Sequence, residues 1–264
     1  MLKVTVIQPP YYAGETPDET IGAFLLSQME QAEGDLIVLP EYSNAGGLSD
    51  PDKELAALPR AKQMLEAASA FAARAGKLVA INVLEDRLSN LWNSTYLFDR
   101  SGKVAFRYNK IHLPPSEVAL KVCYGGGACT CEVEGIRFGF MTCYDVYYNE
   151  QIEYLASQKP DIILIPGYQR GERTDIIRAQ AKLTAFRCNA FVARSSFSMG
   201  TDERGGCSMV VAPDGQILQD MGKEIGSITA EIDPAWKYMR TAGFGGGMVR
   251  NDDFINAGLR PNVF

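Results

Sequence analysis

Three segments of the sequence each end an apolar run at a residue that could take part in acyl transfer. Glu41 follows the run at 36–39, Lys110 follows residues 106–109, and Cys143 follows residues 139–142. A thiol nucleophile, a carboxylate that moves protons and a cation that stabilises negative charge are the groups that acyl transfer requires. We therefore expect the three side chains to meet where strands end at the edge of a sheet. The backbone N–H of Tyr144, directly after the thiol, is the natural second donor to an oxyanion.

Each of these residues also has a simpler interpretation. A lone cysteine at a strand end is commonly a small core residue, and single Glu and Lys residues are commonly solvated. His112 is the only histidine in the chain, so a Cys–His hydrolase would have to use it as the base. A third alternative is a scaffold that keeps the fold without catalysis.

The composition excludes several classes of function. The chain has 264 residues and a net charge of −6, and no Lys/Arg-rich run suggests a nucleic-acid partner. No apolar stretch approaches the roughly 20 residues of a membrane helix. The sequence enters a strand at once, without the layout of a signal peptide, so we expect a cytoplasmic protein.

The six cysteines are expected to be free thiols in such a protein. The spacing of Cys123, Cys129 and Cys131 does not match a zinc site, and a single histidine disfavours His-rich metal centres. The sequence therefore predicts neither a metal nor another cofactor.

The hydrophobic pattern predicts an α/β fold with mixed sheets, because βαβ units alternate with tight hairpins. Helices are predicted from Thr16, as N-cap, to about residue 32, and over one long stretch at 53–75. No linker divides the chain, so residues 1–264 are read as one domain. Its end, from about residue 238 to 264, is Gly-rich and is predicted to be an irregular tail that docks on the body or a partner subunit, or is disordered.

The three candidate residues lie in motifs that resemble those of the nitrilase (carbon–nitrogen hydrolase) superfamily. The motifs are Leu39-Pro40-Glu41, Tyr108-Asn109-Lys110-Ile111-His112-Leu113 and Gly139-Phe140-Met141-Thr142-Cys143-Tyr144-Asp145. They occur in the family's order, and the resemblance extends from about residue 2 to 232. It implies a four-layer α-β-β-α sandwich that assembles as a homodimer or higher homo-oligomer.

The resemblance also implies roles for individual residues. Glu41 would be the general base and acid, Lys110 would stabilise the oxyanion, and Cys143 would be the nucleophile. Glu117 matches a second glutamate that many members carry after the lysine, and His112 would support the lysine loop. The implied reaction is hydrolysis of a non-peptide C–N bond, in a small amide or N-carbamoyl compound, through a thioester; a nitrile is the alternative substrate.

The substrate side of the pocket is less clear from the sequence. Candidate substrate-binding residues are Tyr147, Tyr168, Arg170 and Arg173, and an arginine here could bind a substrate carboxylate in bidentate fashion. The two arginines could equally be surface charges. The stretch at 146–150 lacks the Arg and Pro that many family amidases carry there, and Cys188 replaces an acid, so these motifs do not assign a substrate.

Overall fold

The computed structural model describes residues 1–12, 18–48 and 50–258. The first of its two main sheets has six strands in the order β12-β1-β2-β3-β4-β5. Strand β2 runs parallel to β1 and β3, and the other neighbours are antiparallel, so the sheet is mixed. The strands are β1 (Leu2–Gln8), β2 (Leu36–Val38), β3 (Leu78–Arg87), β4 (Asn90–Phe98), β5 (Val104–Asn109) and β12 (Gly226–Ile232).

The second sheet is also mixed and has six strands, in the order β11-β10-β9-β8-β7-β6. Strand β8 is parallel to β7 and β9, and the outer neighbours pair antiparallel. The strands are β6 (Thr130–Val133), β7 (Ile136–Phe140), β8 (Ile162–Pro166), β9 (Phe191–Ser195), β10 (Met209–Val211) and β11 (Ile217–Asp220).

The helices connect and cover the two sheets. They are α1 (Asp18–Gln31), α2 (Pro51–Ala56), α3 (Leu58–Ala75), α4 (Pro115–Ala119), α5 (Asn149–Gln158), α6 (Thr174–Cys188) and α7 (Asn251–Asn256). A short 3-10 helix spans Cys143–Tyr147, and β13 (Met239–Thr241) pairs with β14 (Met248–Arg250) as a hairpin. In the part of the chain that is described, no helix has the length and apolar composition of a bilayer-spanning segment.

Strand periodicity explains the layers. Along β2, Leu36 and Val38 face the second sheet, while Ile37 faces the helices α1 and α3. On the far side of the second sheet, residues of α5 and α6 such as Leu155 and Ile177 pack into the same core as that sheet. The order is helices, sheet, sheet, helices, so the predicted four-layer α-β-β-α sandwich is confirmed.

The helix predicted over residues 53–75 is in fact two helices that meet at Ala57. Pro59 lies in the first turn of α3, where a backbone N–H would have no helical partner in any case. In the middle of one continuous helix the same proline would remove a hydrogen bond and clash with the preceding turn, so α2 and α3 are separate. The N-cap predicted at Thr16 lies outside the described residues, and the described part of that helix begins at Asp18.

The Gly-rich end of the chain is more ordered than predicted. Residues 239–256 form the β13–β14 hairpin and helix α7, so the prediction of an irregular tail was wrong for this stretch. Asn189 ends α6 with φ of 49° and donates a hydrogen bond to buried Asp252 at 2.8 Å. Asn251 donates to the carbonyl of Phe186 at 2.7 Å. These polar contacts dock α7 on α6. They could not be predicted from the hydrophobic pattern of the sequence, because that pattern reflects only apolar packing.

Candidate active site

Glu41 lies just past the carboxyl end of β2, where Leu39 and Pro40 follow the strand. Its side chain is only 2% exposed. Oε1 accepts hydrogen bonds from Lys110 Nζ at 2.8 Å and from Asn93 Nδ2 at 2.7 Å. A buried carboxylate needs such partners, because burial without them strongly disfavours the charged form.

Lys110 follows β5 and is buried between two carboxylates. Its Nζ lies 2.8 Å from Glu41 Oε1 and 3.0 Å from Glu117 Oε1. Burial opposes the ammonium form, but Glu41 and then Glu117 raise the pKa of Lys110 well above its ordinary value. The lysine is therefore a permanent cation at the centre of the site.

Glu117 reaches the site from the short helix α4 and is 4% exposed. Its Oε1 accepts hydrogen bonds from Lys110, from Asn93 Nδ2 at 2.8 Å and from Tyr42 OH at 2.5 Å. Burial raises the pKa of Glu117, Lys110 opposes the rise, and Glu41 adds to it. Oε2 is a buried oxygen without a hydrogen-bond partner among the described residues.

Cys143 is the first residue of the 3-10 helix, a tight turn separated from the end of β7 by two residues. Its φ is 45°, a left-handed conformation that non-glycine residues rarely adopt and that is common at functional sites. The thiol lines the same cavity as Glu41 and Tyr168. Burial, followed by the nearby Glu41, raises the pKa of Cys143 well above that of an ordinary thiol, while Lys110 opposes the rise. The raised pKa favours a neutral thiol beside the Glu41 carboxylate.

A capping box fixes this turn. The Thr142 hydroxyl accepts from the N–H of Asp145, and the Asp145 carboxylate accepts from the N–H of Thr142 at 2.8 Å. Tyr144 is the second residue of the turn, where a backbone N–H has no carbonyl partner within the helix. That N–H lies next to the sulfur-bearing residue, as expected for an oxyanion donor.

Asp145 joins the turn to the loop that carries Lys110. Its fully buried carboxylate accepts hydrogen bonds from Tyr108 OH at 2.7 Å and from the backbone N–H of His112 at 2.9 Å. The His112 ring contributes a further contact, with Nδ1 3.0 Å from Oδ1, and it stacks on Tyr148 with centroids 3.8 Å apart. His112 thus supports the lysine loop from behind.

A cavity of about 570 Å³ opens above the three groups. Tyr144, Tyr147, Tyr168 and Arg170 line it, together with Glu41, Lys110, Glu117 and Cys143. Arg173, also predicted to bind substrate, is not among the residues that line this cavity; its guanidinium binds Asp175 at 2.7 Å, and its side chain is 74% exposed. Arg173 is the N-cap residue of α6.

Sequence reasoning missed three residues of the site. Asn93 donates to both buried carboxylates, Tyr42 binds Glu117, and Glu54 lines the cavity from α2. A buried polar residue within an apolar strand is a recognisable signal, and Asn93 in β4 fits it. Tyr42 and Glu54 carry no comparable pattern in the sequence.

Comparison with known proteins agrees with this geometry. Residues 3–240 match the carbon-nitrogen hydrolase family, so the chain belongs to that family, and the predicted membership of the nitrilase superfamily is confirmed. The chain is 26% identical over 227 residues to the 2-oxoglutaramate amidase of Bacillus subtilis, with 82% of this chain and 85% of the relative covered. It is 22% identical over 258 residues to an omega-amidase of Saccharomyces cerevisiae, with 88% and 87% covered.

The fold is also similar to that of solved structures. A mutant of the amidase from Nesterenkonia sp. AN1, with acrylamide added at its active-site cysteine, superposes with a TM-score of 0.76. The two chains are 17% identical, and the superposition covers 88% of this chain and 94% of the amidase. At that identity the similarity speaks for the shared fold.

Proposed function

We propose that the protein hydrolyses the C–N bond of small amides, with Cys143 as the nucleophile, Glu41 as the general base and acid, and Lys110 as the stabilising cation. One observation carries the proposal: side chains from three distant segments converge in one cavity. Lys110 Nζ lies 2.8 Å from Glu41, and Cys143 lines the same cavity, close enough to this carboxylate for Glu41 to raise the pKa of the thiol. The amidases among the relatives support the same class of substrate.

The first half-reaction forms a thioester. Glu41 takes the proton from the Cys143 thiol while the sulfur attacks the carbonyl carbon, since the raised pKa of the thiol leaves almost no free thiolate. The negative oxygen that develops is stabilised by Lys110 and by the N–H of Tyr144. The C–N bond then breaks, and Glu41 gives its proton to the departing amine or ammonia.

The second half-reaction releases the acid. Glu41 deprotonates a water molecule, which attacks the thioester carbon and forms a second tetrahedral intermediate. The C–S bond breaks, and the proton returns from Glu41 to the sulfur of Cys143. Glu117 lines the cavity, and its buried Oε2 has no hydrogen-bond partner among the described residues, so Glu117 is proposed to orient the substrate amide by accepting a hydrogen bond from it.

A screen for released ammonia tests this function. Purified protein would be incubated separately with aliphatic amides, ω-amides of carboxylic acids, N-carbamoyl amino acids and nitriles. We expect hydrolysis of at least one class of amide, and loss of that activity after pretreatment with a small thiol reagent that alkylates Cys143. Activity on nitriles alone would move the assignment to the nitrile branch. No turnover of any compound would favour the non-catalytic scaffold.

The His112→Ala variant separates the triad from a Cys–His mechanism. His112 contacts Asp145 and Glu150 and does not line the cavity. We therefore expect kcat to fall by less than about 10-fold, because only support of the lysine loop is lost, whereas loss of a general base costs roughly 100- to 10,000-fold. The measurement is the steady-state rate on the best amide, with circular dichroism to verify folding. A folded variant without activity would instead assign the base to His112.

A further inference from the structure

The outer part of the cavity carries an acid and a base that are not bonded to each other. Glu54 from α2 and Arg170 from the segment after β8 both line it. Each shifts the pKa of the other, so they lie in one electrostatic neighbourhood. Among the described residues, however, no ion pair of 4.0 Å or less joins Glu54 to Arg170 or to any other cation. The site therefore presents two opposite charges with a gap between them.

Arg170 is held in place without a carboxylate partner. Its guanidinium lies 4.9 Å from the ring centroid of Tyr168 and 5.7 Å from that of Tyr11. Nη1 donates a hydrogen bond to Tyr11 OH at 3.0 Å. A guanidinium has five N–H donors, and those that remain form a planar fork suited to a carboxylate. Aromatic contacts thus orient Arg170 for an anion that the protein itself does not supply.

Glu54 is half-buried and faces mostly negative neighbours. The charged groups around it are Arg170, Glu117, Glu41 and Asp50. Burial raises the pKa of Glu54 to about 7, Arg170 opposes the rise, and the three acids add to it. A cation placed beside Glu54 would stabilise its charged form, whereas an anion there would be repelled.

We infer that the substrate is an amide whose far end is a zwitterion, with its carboxylate on Arg170 and its ammonium group on Glu54. This inference rests on the proposed amidase function and names its substrate class. A substrate with a carboxylate alone would bind Arg170 but would face Glu54 uncompensated. An α-amino acid unit carries both charges on one carbon and neutralises both groups. The reacting amide would then extend toward Cys143 at the inner end of the cavity.

Binding to the Cys143→Ala variant tests the inference without turnover. Three primary amides with the same five-carbon chain would be titrated by calorimetry at pH 8: L-glutamine, glutaramate, which lacks the ammonium group, and pentanamide, which lacks both charges. We expect L-glutamine to bind tightest. Adding Glu54→Gln should lower the affinity for L-glutamine roughly 10- to 100-fold relative to that for pentanamide, as expected for loss of a hydrogen-bonded charge. The same change should raise the affinity for glutaramate.

Two further variants guard against a general effect of charge or folding. Glu172→Gln removes another acid of the same cavity, one that already binds Tyr147 OH, and it should leave the ratio of L-glutamine to glutaramate affinity near its starting value. Arg170→Gln should lower the affinity for both carboxylate-bearing amides relative to that for pentanamide. Equal effects of Glu54→Gln and Glu172→Gln on the ratio would overturn the inference.

The pH dependence gives an independent signature. Between pH 6 and 8 Glu54 loses its proton, so L-glutamine should bind more tightly and glutaramate more weakly as pH rises, and both trends should vanish in Glu54→Gln. Tighter binding of glutaramate than of L-glutamine at pH 8 would contradict the inference. If the wild type hydrolyses pentanamide in that case, the amidase function stands. If the wild type hydrolyses none of the three although L-glutamine binds as expected, the amidase proposal fails instead.

Discussion

Replacement of Cys143 by alanine is expected to abolish amide hydrolysis while the protein stays folded. The sulfur forms the covalent bond to the substrate, and no other described cysteine lines the cavity. Loss of a nucleophile typically lowers kcat by roughly 10⁶-fold. The left-handed backbone at residue 143 is already adopted by a residue with a Cβ, so alanine adds no new strain there. The free energy of unfolding should change by only about 1 kcal/mol.

The measurement is ammonia release at high enzyme concentration, together with a urea unfolding curve. Cys123→Ala is the matched control, because Cys123 is a partly exposed free thiol outside the cavity whose contact is a long one, 3.8 Å to Asn90. The control should keep the wild-type rate. A Cys143→Ala protein that retains more than about 1% of the activity would show that the sulfur is not the nucleophile.

Replacement of Lys110 by methionine is expected to damage both activity and stability. The change removes the cation proposed for the oxyanion, and one such stabilising group is worth on the order of 100- to 1,000-fold in rate. It also leaves Glu41 and Glu117 buried together without their shared positive partner. Removing one member of a buried ion pair costs about 3–5 kcal/mol. We therefore expect a folded but markedly less stable protein with little residual hydrolysis.

The stability loss should depend on pH in a defined direction. Lys110 lowers the pKa of Glu117, so its removal lets burial and Glu41 raise that pKa further above the ordinary value of 4.5. When the pKa of a carboxyl group is higher in the folded than in the unfolded protein, the group stabilises the fold most at a pH below the unfolded-state pKa. That contribution is lost as the pH rises through the folded-state pKa. The deficit of Lys110→Met relative to wild type should therefore grow from pH 5 to pH 8.

Urea unfolding at four pH values in this range would measure the deficit. The control is Lys62→Met, which breaks an ion pair with Glu66 whose side chains are 83% and 67% exposed. Such an exposed pair is worth at most about 1 kcal/mol. A Lys110→Met protein that is as stable as the control at every pH would contradict the buried charge network.

The meeting of the Glu41, Lys110 and Cys143 side chains in one cavity could be predicted from sequence, because the residues lie at strand ends within specific motifs. Each of the three lies within three residues of the end of a strand, and the strand ends of an α/β sheet bring such positions together. Glu117 was implied by the family resemblance, and its Oε1 lies 3.0 Å from Lys110 Nζ. The four-layer architecture followed from the resemblance, and alternation along the strands produces it.

Other parts of the molecule depend on tertiary contacts that leave no periodic signal. Arg170 and Arg173 are three residues apart, yet aromatic rings hold the first at the cavity and Asp175 holds the second in solvent. Docking of α7 depends on the side-chain amides of Asn189 and Asn251. The single-domain organisation, homo-oligomeric assembly, cytoplasmic location and N-carbamoyl substrates stay predictions.

The most direct test of the central claim is to detect the thioester itself. The protein would be mixed with its best amide, quenched in acid within the first turnovers, digested and examined by mass spectrometry. We predict that the peptide containing Cys143 gains the mass of the substrate's acyl group, and that the label disappears in Cys143→Ala. Rapid hydrolysis with the acyl group on another residue, or with no acylated peptide in any of the quenched samples, would contradict the account.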